Sequence, residues 1–82
     1  MKIKDFTEYL VISIVSEPDM VKVSEFKGEE ESIILEVIVC EKDRGVVIGK
    51  SGKTAKAIRT LVQAHAYILG LKQVKINIDS YL

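Results

Sequence analysis

The spacing of hydrophobic residues changes several times along the chain, and each spacing predicts one element. Near the start, apolar residues recur every three or four positions, which predicts an amphipathic helix over residues 4–15. These residues are Ile3, Phe6, Leu10, Val11, Ile14 and Val15. Pro18 then ends the helix, because proline disfavours helical backbone in the residue before it.

Two strands are predicted next. Residues 20–27 place valines at alternate positions, and a polar turn at 28–31 separates them from a second strand at 32–40. The second strand is apolar on one face and partly apolar on the other, where Ile34 and Ile38 lie. This two-sided character indicates a central strand, or one whose second face meets a groove or another subunit.

The second half predicts two helices and a last strand. Residues 43–48 form a short helix, and Gly49 is expected to stop it in a left-handed conformation. A longer helix follows and ends at Gly70, with Leu71 making the apolar contact past the cap. Its predicted apolar face comprises Ala55, Ile58, Leu61, Val62, His65, Ile68 and Leu69. Residues 74–79 alternate apolar and polar side chains, as in a strand with one wet face.

The 82 residues are expected to form one domain, residues 1–82, which buries about 60% of the surface that the unfolded chain exposes. No apolar stretch approaches the ~20 residues of a membrane span, and no basic leader precedes a cleavage site, so a cytoplasmic protein is expected. Cys40 is the only cysteine, which excludes an intrachain disulfide and predicts a buried structural thiol.

The formal net charge is zero, but the two halves of the chain differ sharply. Residues 1–41 carry four basic and ten acidic side chains, whereas residues 42–82 carry eight basic and two acidic ones. Six of those eight basic residues lie between Lys42 and Arg59. Such a run is often only a solvated face, but its position around a glycine loop favours a footprint for nucleic acid.

That loop is the Gly-Lys-Ser-Gly sequence of residues 49–52, between an apolar run and a helix that carries lysines. Glycines let a ligand backbone approach closely, and a helix N-terminus favours phosphate. The spacing does not fit a Walker A loop or a dinucleotide fingerprint, since Val47 occupies the position of the first glycine in both. A simple tight turn between two helices is the remaining alternative.

The stretch Gly-Lys-Ser-Gly-Lys-Thr-Ala-Lys-Ala-Ile-Arg-Thr-Leu, residues 49–61, resembles the small bacterial single-KH RNA-binding proteins of the KhpA family. The resemblance covers nearly the whole chain. It implies an α+β fold of the type II (prokaryotic) KH kind, α-β-β-α-α-β, with a three-stranded sheet and helices on one face. Ala55 stands where many KH domains carry a larger aliphatic residue, which implies a shallower apolar wall beside the loop.

The resemblance also implies the site. A single strand passes between the loop and a facing strand, and Gly49, Lys50, Ser51 and Gly52 clamp its sugar–phosphate backbone. Lys53 and Lys56 add phosphate contacts from the helix. Three aliphatic side chains are expected to form the floor of the base groove: Val46, Val47 and Ile58. For each of them, packing in the core is an equally good interpretation. Lys42, Arg44 and Arg59 are peripheral, and contact with solvent is as good an interpretation for them.

No catalytic set, metal site or cofactor motif is found, and His65, the only histidine, is expected in the core or at a subunit contact. We therefore expect no enzyme activity. The resemblance implies a post-transcriptional or RNA-chaperone role linked to growth and cell shape, with single-stranded RNA as ligand. It also implies a homodimer and a heterodimer with a larger KH-containing protein. The alternative is a dimerisation module that kept the KH fold without significant RNA binding.

Overall fold

A computed structural model describes residues 1–81 of the chain. The elements follow the order helix, strand, strand, helix, helix, strand. The helices are α1 (Ile3–Ile12), α2 (Glu41–Ile48) and α3 (Lys53–Ile68). The strands are β1 (Lys22–Lys27), β2 (Ile33–Val39) and β3 (Val74–Ser80).

The three strands form one mixed sheet with β2 in the centre. β1 pairs with β2 antiparallel, and Val23 lies opposite Val37 in that ladder. β3 pairs with β2 parallel, with Ile76 opposite Leu35. A parallel pair requires a long crossover, and here α2, the glycine loop and α3 provide it. The predicted α-β-β-α-α-β arrangement is therefore confirmed.

The core lies between one face of this sheet and the three helices. Leu35, Val37 and Val39 alternate along β2, and all three are fully buried on that face. The helices cover them with apolar side chains, of which the most deeply buried are Val11, Val47 and Val62. The predicted placement of helices on one face of the sheet is confirmed.

The opposite face of the sheet is open. Ile34 and Ile38 lie there, and both are half-buried although no helix covers them. Phe26, opposite Ile34 on β1, is 51% exposed. Charged residues break up this face, since Glu36 separates the two isoleucines and Asp79 lies opposite Ile38 on β3. The central position of β2 therefore accounts for its two-sided apolar pattern.

Several predicted boundaries were wrong by two or three residues. The first helix ends at Ile12, earlier than the predicted residue 15, and a single 3₁₀ turn at Pro18–Met20 follows. The short second helix begins at Glu41, two residues before the predicted start at Asp43. The side chain of Asp43 does not cap its own helix, because it binds the backbone of a distant turn instead.

The end of α3 agrees with its prediction. Gly70 adopts a φ of 78°, its N–H donates to the Tyr67 carbonyl at 3.1 Å, and the Leu71 N–H donates to the Ala66 carbonyl at 2.9 Å. This pair of bonds is a Schellman motif. Leu71 packs against the core, as expected.

The apolar face predicted for α3 was too wide. The buried positions are Ala55, Ile58, Val62 and Ala66, whereas Leu61 is 48% exposed and Ile68 is 76% exposed. A helix that lies on a sheet buries a stripe of roughly 100°. Leu61 and Ile68 fall outside that stripe, so α3 keeps an uncovered apolar surface on its outer side.

Candidate nucleic-acid interface

The Gly-Lys-Ser-Gly loop turns the chain sharply between α2 and α3. Gly49 ends α2 with φ 77° and ψ 170°, which is a positive φ but not the left-handed helical conformation that was predicted. The left-handed conformation occurs further on, at Ser51 (φ 57°, ψ 26°) and Gly52 (φ 75°, ψ 12°). Lys53 then begins α3 directly. Three positive-φ residues out of four therefore compress the loop into one tight turn.

The two glycines of the loop meet different surroundings. A Cβ atom on Gly49 would lie 2.2 Å from Oγ1 and 2.7 Å from the backbone nitrogen of Thr54. Glycine is therefore required there by the packing of the loop on α3. A Cβ atom on Gly52 would meet no atom within 4 Å. The surface above Gly52 is therefore open to an approaching ligand.

The N-terminus of α3 is open and carries cations. No side chain caps this helix, and no acidic residue lies in its first turn. Lys50, Lys53 and Lys56 are all exposed around it, as is Ser51 at the loop tip. Uncapped N–H groups together with the positive end of the helix dipole favour an anion.

The loop lysines have no acidic neighbours that would neutralise them. Within residues 1–81, the only ion pairs are Lys42 with Glu17 at 3.0 Å and Lys72 with Glu31 at 3.4 Å. The hydrogen bond to Glu17 also raises the pKa of Lys42. Lys42 is thus partnered within the chain, whereas Lys50, Lys53 and Lys56 remain available to an external anion.

Three aliphatic residues were expected beside the loop, and only one of them has an exposed side chain. Val46 is 51% exposed on α2, whereas Val47 is completely buried and Ile58 is 5% exposed. Ala55 is also buried, so its small size affects packing beneath the loop. The side chain of Val47 packs in the core beneath the loop, and of these three side chains only that of Val46 is exposed.

A buried carboxylate that was not predicted from the sequence holds α2 in place. Asp43 is only 2% exposed, and its Oδ1 accepts bonds from the Ser16 hydroxyl at 2.7 Å and the Ser16 N–H at 3.0 Å. Its Oδ2 accepts the Glu17 N–H at 3.0 Å. These bonds, led by that of the Ser16 hydroxyl, hold the pKa of Asp43 below its ordinary 3.8. Glu17 and Ser16 lie 26 and 27 residues away in the sequence, so no local pattern predicts these hydrogen bonds.

His65 links α3 to the start of α1. Its ring stacks on Phe6 with 4.4 Å between centroids, and its Nε2 lies 2.6 Å from the Met1 carbonyl oxygen. A carbonyl oxygen only accepts, so Nε2 carries the hydrogen of this bond. The half-buried histidine thus packs against α1. Of the two predicted positions, in the core or at a subunit contact, this agrees with the first.

The sequence model of the family described as "KhpA/KhpB, KH domain" matches residues 4–78. The chain belongs to this family. The RNA-binding protein KhpA of Clostridium perfringens is 52% identical over 63 residues, which are 77% of this chain and 83% of the relative. That of Chlamydia caviae is 37% identical over 76 residues, 93% of this chain and 92% of the relative.

A solved structure shows the same fold in a larger protein. The KH chain superposes on Era, in a complex with MgGDPNP and nucleotides 1506–1542 of 16S ribosomal RNA, with a TM-score of 0.66 and 21% identity. The match covers 96% of this chain and 30% of the Era chain. At that identity the likeness establishes the fold alone.

The KhpA/KhpB family is one of binding proteins, and its matched members are named RNA-binding proteins rather than enzymes. Within residues 1–81, no three His, Cys, Asp or Glu side chains are grouped so that they would hold a metal ion. In the same range, no helix has both the length and the apolar character needed to cross a bilayer.

Proposed function

We propose that this KH domain binds single-stranded RNA at its Gly-Lys-Ser-Gly loop. The observation that carries the proposal is the set of exposed lysines at the uncapped start of α3, none paired to a carboxylate within residues 1–81. Lys50, Lys53 and Lys56 would neutralise phosphates, while the open surface of Gly52 lets the strand approach. The names of the KhpA relatives support RNA as the ligand.

Bases would lie beside Val46, the exposed aliphatic residue on α2. Because the expected contacts are mainly to phosphates, which carry no sequence information, we expect weak affinity for each domain and little base preference. Titration of labelled single-stranded RNA, single-stranded DNA and duplex RNA tests the ligand class. Single strands should bind more tightly than the duplex, and equal binding of all three would contradict the proposal.

The first prediction concerns the loop tip. Replacing Lys50 and Ser51 together by Asp puts two anions where phosphate would approach. Loss of a charge-assisted hydrogen bond costs ~1.5–3 kcal/mol, so RNA affinity should fall about tenfold or more. The melting temperature should not fall, because acidic residues are favourable near a helix N-terminus.

The matched control is Lys75→Asp/Asn77→Asp, which makes the same change in charge at two exposed positions of β3. These positions pair with Ile34 and Glu36 on the open face of the sheet, the face that α3 does not cover. The control should bind RNA nearly as the parent does. If the loop variant melts normally and still binds like the parent, the loop is not the site.

The homodimer is a second part of the proposal. The outer side of α3 exposes Leu61, Tyr67 and Ile68, and residues 60–71 contain no charged side chain. Interface cores are depleted in charge, so this surface suits contact with another KH domain better than the charged open face of the sheet. The same surface would accept the KH domain of a larger partner protein.

The second prediction separates these two surfaces. Leu61→Lys should abolish dimerisation, because it puts a charge on the outer side of α3. Phe26→Lys, a comparable change on the open sheet face, should leave the dimer intact. Sedimentation at tens of micromolar measures both, in the range where weak dimers form. A parent that sediments only as a 9.2 kDa species would contradict the dimer.

A post-transcriptional or RNA-chaperone role in the cytoplasm, linked to growth and cell shape, completes the proposal. It rests on the resemblance to the KhpA proteins and on the weak, base-tolerant binding that we expect, which would suit a protein that acts on many RNAs. An RNA-annealing assay with the parent and the Lys50→Asp/Ser51→Asp variant tests the chaperone part. Equal annealing by both proteins would contradict it.

A further inference from the structure

Four residues along the outer side of α3 form a regular apolar stripe. Ala57, Leu61, Ala64 and Ile68 are all exposed, and they are separated by four, three and four residues. This is the a/d spacing by which one helix packs along another. We call these four residues the outer stripe.

The outer stripe is complementary to itself in one orientation only. If two copies of α3 cross antiparallel, Leu61 faces Ala64 of the partner and Ala57 faces Ile68 of the partner. Each layer then contains one large and one small side chain, the combination that fills space best. In a parallel pair, alanine would face alanine and leave gaps.

Charge favours the same antiparallel orientation. Lys53, Lys56 and Arg59 lie in the first half of α3, and the second half carries no charge. At about 100° per residue, Lys53 flanks the outer stripe, whereas Arg59 lies on the far side of the helix. Antiparallel packing places Lys53 of one helix beside the C-terminal end of the other, where the helix dipole is negative. Parallel packing would instead bring the two Lys53 side chains together.

The antiparallel pair determines where the two loops lie. Its two-fold axis passes between residues 62 and 63, and Gly52 precedes that point by about ten residues. At 1.5 Å per residue along each helix, plus an offset of 8–10 Å between axes, the loops lie about 30–35 Å apart. They occupy opposite ends of the helix pair.

We propose that the dimer is a two-site clamp whose substrate class is RNA with two single-stranded segments joined by a spacer that spans this distance. The inference rests on the proposed RNA binding at the loop and on the proposed dimer. Each segment corresponds to the four nucleotides that a KH loop holds. A spacer of about nine stacked nucleotides, at ~3.4 Å each, spans 30 Å. The second contact then forms at a high effective concentration.

The experiment uses RNAs with two mixed-base segments of four nucleotides, joined by uncharged ethylene-glycol spacers of increasing length. The reference RNA has one segment, and an uncharged ethylene-glycol chain of the same length replaces the second segment. The parent should bind the two-segment RNA at least tenfold more tightly once the spacer reaches about 30 Å, and the gain should be lost when no spacer is present.

Variants identify the cause of that gain. Leu61→Lys should keep the affinity for the one-segment RNA but reduce the two-segment advantage to the twofold or less expected of independent sites. Ile68→Lys, at a more exposed position of the outer stripe, should do the same if Leu61→Lys fails to fold. Phe26→Lys should keep the full advantage.

The outcomes distinguish RNA binding at the loop, the antiparallel pairing and the two-site clamp. If the parent does not bind the one-segment RNA, RNA binding at the loop is itself wrong. If the parent binds it and is dimeric, but the two-segment gain is absent or independent of spacer length, only the two-site clamp is wrong. If Phe26→Lys rather than Leu61→Lys removes the gain, the antiparallel pairing of the outer stripe is wrong.

Discussion

At the scale of single residues, the loop depends on two glycines for different reasons. Gly49 has a positive φ and lies so close to Thr54 that any Cβ atom would overlap the start of α3. Gly52 also has a positive φ, but the space where its Cβ would stand is empty. Gly49 therefore builds the loop, whereas Gly52 keeps its outer surface accessible.

The third prediction follows from this contrast. Gly52→Ala should cost ~1–3 kcal/mol, the price of one residue in a strained conformation, and the domain should stay folded. Gly49→Ala should cost more, because the overlap with backbone adds to the same strain. Urea unfolding of the two variants measures the difference in free energy. Equal losses would contradict the distinct roles of the two glycines.

RNA binding adds a second test of Gly52. Its added methyl group would lie on the open surface. Gly52→Ala should therefore weaken RNA binding even under conditions in which the variant is fully folded. Gly52→Asn provides a comparison in which the left-handed conformation is tolerated better, while the surface is still obstructed. If both variants bind RNA like the parent, no ligand backbone passes over Gly52.

At the scale of elements, α2 is held by a contact that lies far from the loop in sequence. Asp43 joins the first turn of α2 to the turn after α1 through three hydrogen bonds. Since Gly49 follows the last residue of α2, this contact holds the helix from which the loop begins. Asp43 is thus a positioning residue.

The fourth prediction is a dependence of stability on pH. The folded protein lowers the pKa of Asp43 below 3.8, so this contribution to stability is complete above that pH and is lost as the pH falls through the folded pKa. Asp43→Asn should melt at a lower temperature than the parent at pH 7. The gap should narrow as the pH falls below about 4.

Asp19→Asn is the control, because Asp19 is exposed in the same connection between α1 and β1. Its melting curve should follow that of the parent across the pH range. Parallel curves for the parent and Asp43→Asn would mean that the buried carboxylate does not contribute as described.

At the scale of the whole molecule, charge is divided between two ends. The described domain is 34 Å long and 21 Å wide. The Gly-Lys-Ser-Gly loop and its lysines lie at the start of α3, whereas Glu29, Glu30 and Glu31 lie in the turn between β1 and β2. Lys72, beyond the end of α3, pairs with Glu31 at this acidic end. The zero net charge therefore conceals a local excess of cations around the loop, which we expect to attract a polyanion.

The fifth prediction is a salt dependence that reflects this local charge. If two to four phosphates are neutralised, the logarithm of the RNA binding constant should fall with the logarithm of salt concentration with a slope of roughly −1.5 to −3. Lys53→Gln should reduce the slope by about 0.7, the value for one phosphate of a single strand. Lys75→Gln, on the open sheet face, should leave it unchanged. Binding that is indifferent to salt would contradict the electrostatic site.

Much of this architecture is a local property of the sequence. The alternation of apolar residues in β2 predicts a strand, and the 3.6-residue period of α3 predicts a helix, without reference to the rest of the fold. The type and order of all six helices and strands were therefore predicted. Gly70 and Leu71 likewise encode the end of α3 through bonds only a few residues apart. The Gly-Lys-Ser-Gly loop and its flanking lysines were also predictable, because residues that are contiguous in the sequence form the loop.

Only the tertiary structure decided which side chains of each element are covered. Val46 and Val47 are adjacent and chemically identical, yet one is 51% exposed and the other is fully buried, because the core lies on one side of α2. Leu61 and Ile68 fit a helical period but fall outside the stripe that the sheet covers. The bond between Asp43 and Ser16 joins residues 27 apart. Such outcomes depend on how elements pack, and no local spacing carries that information.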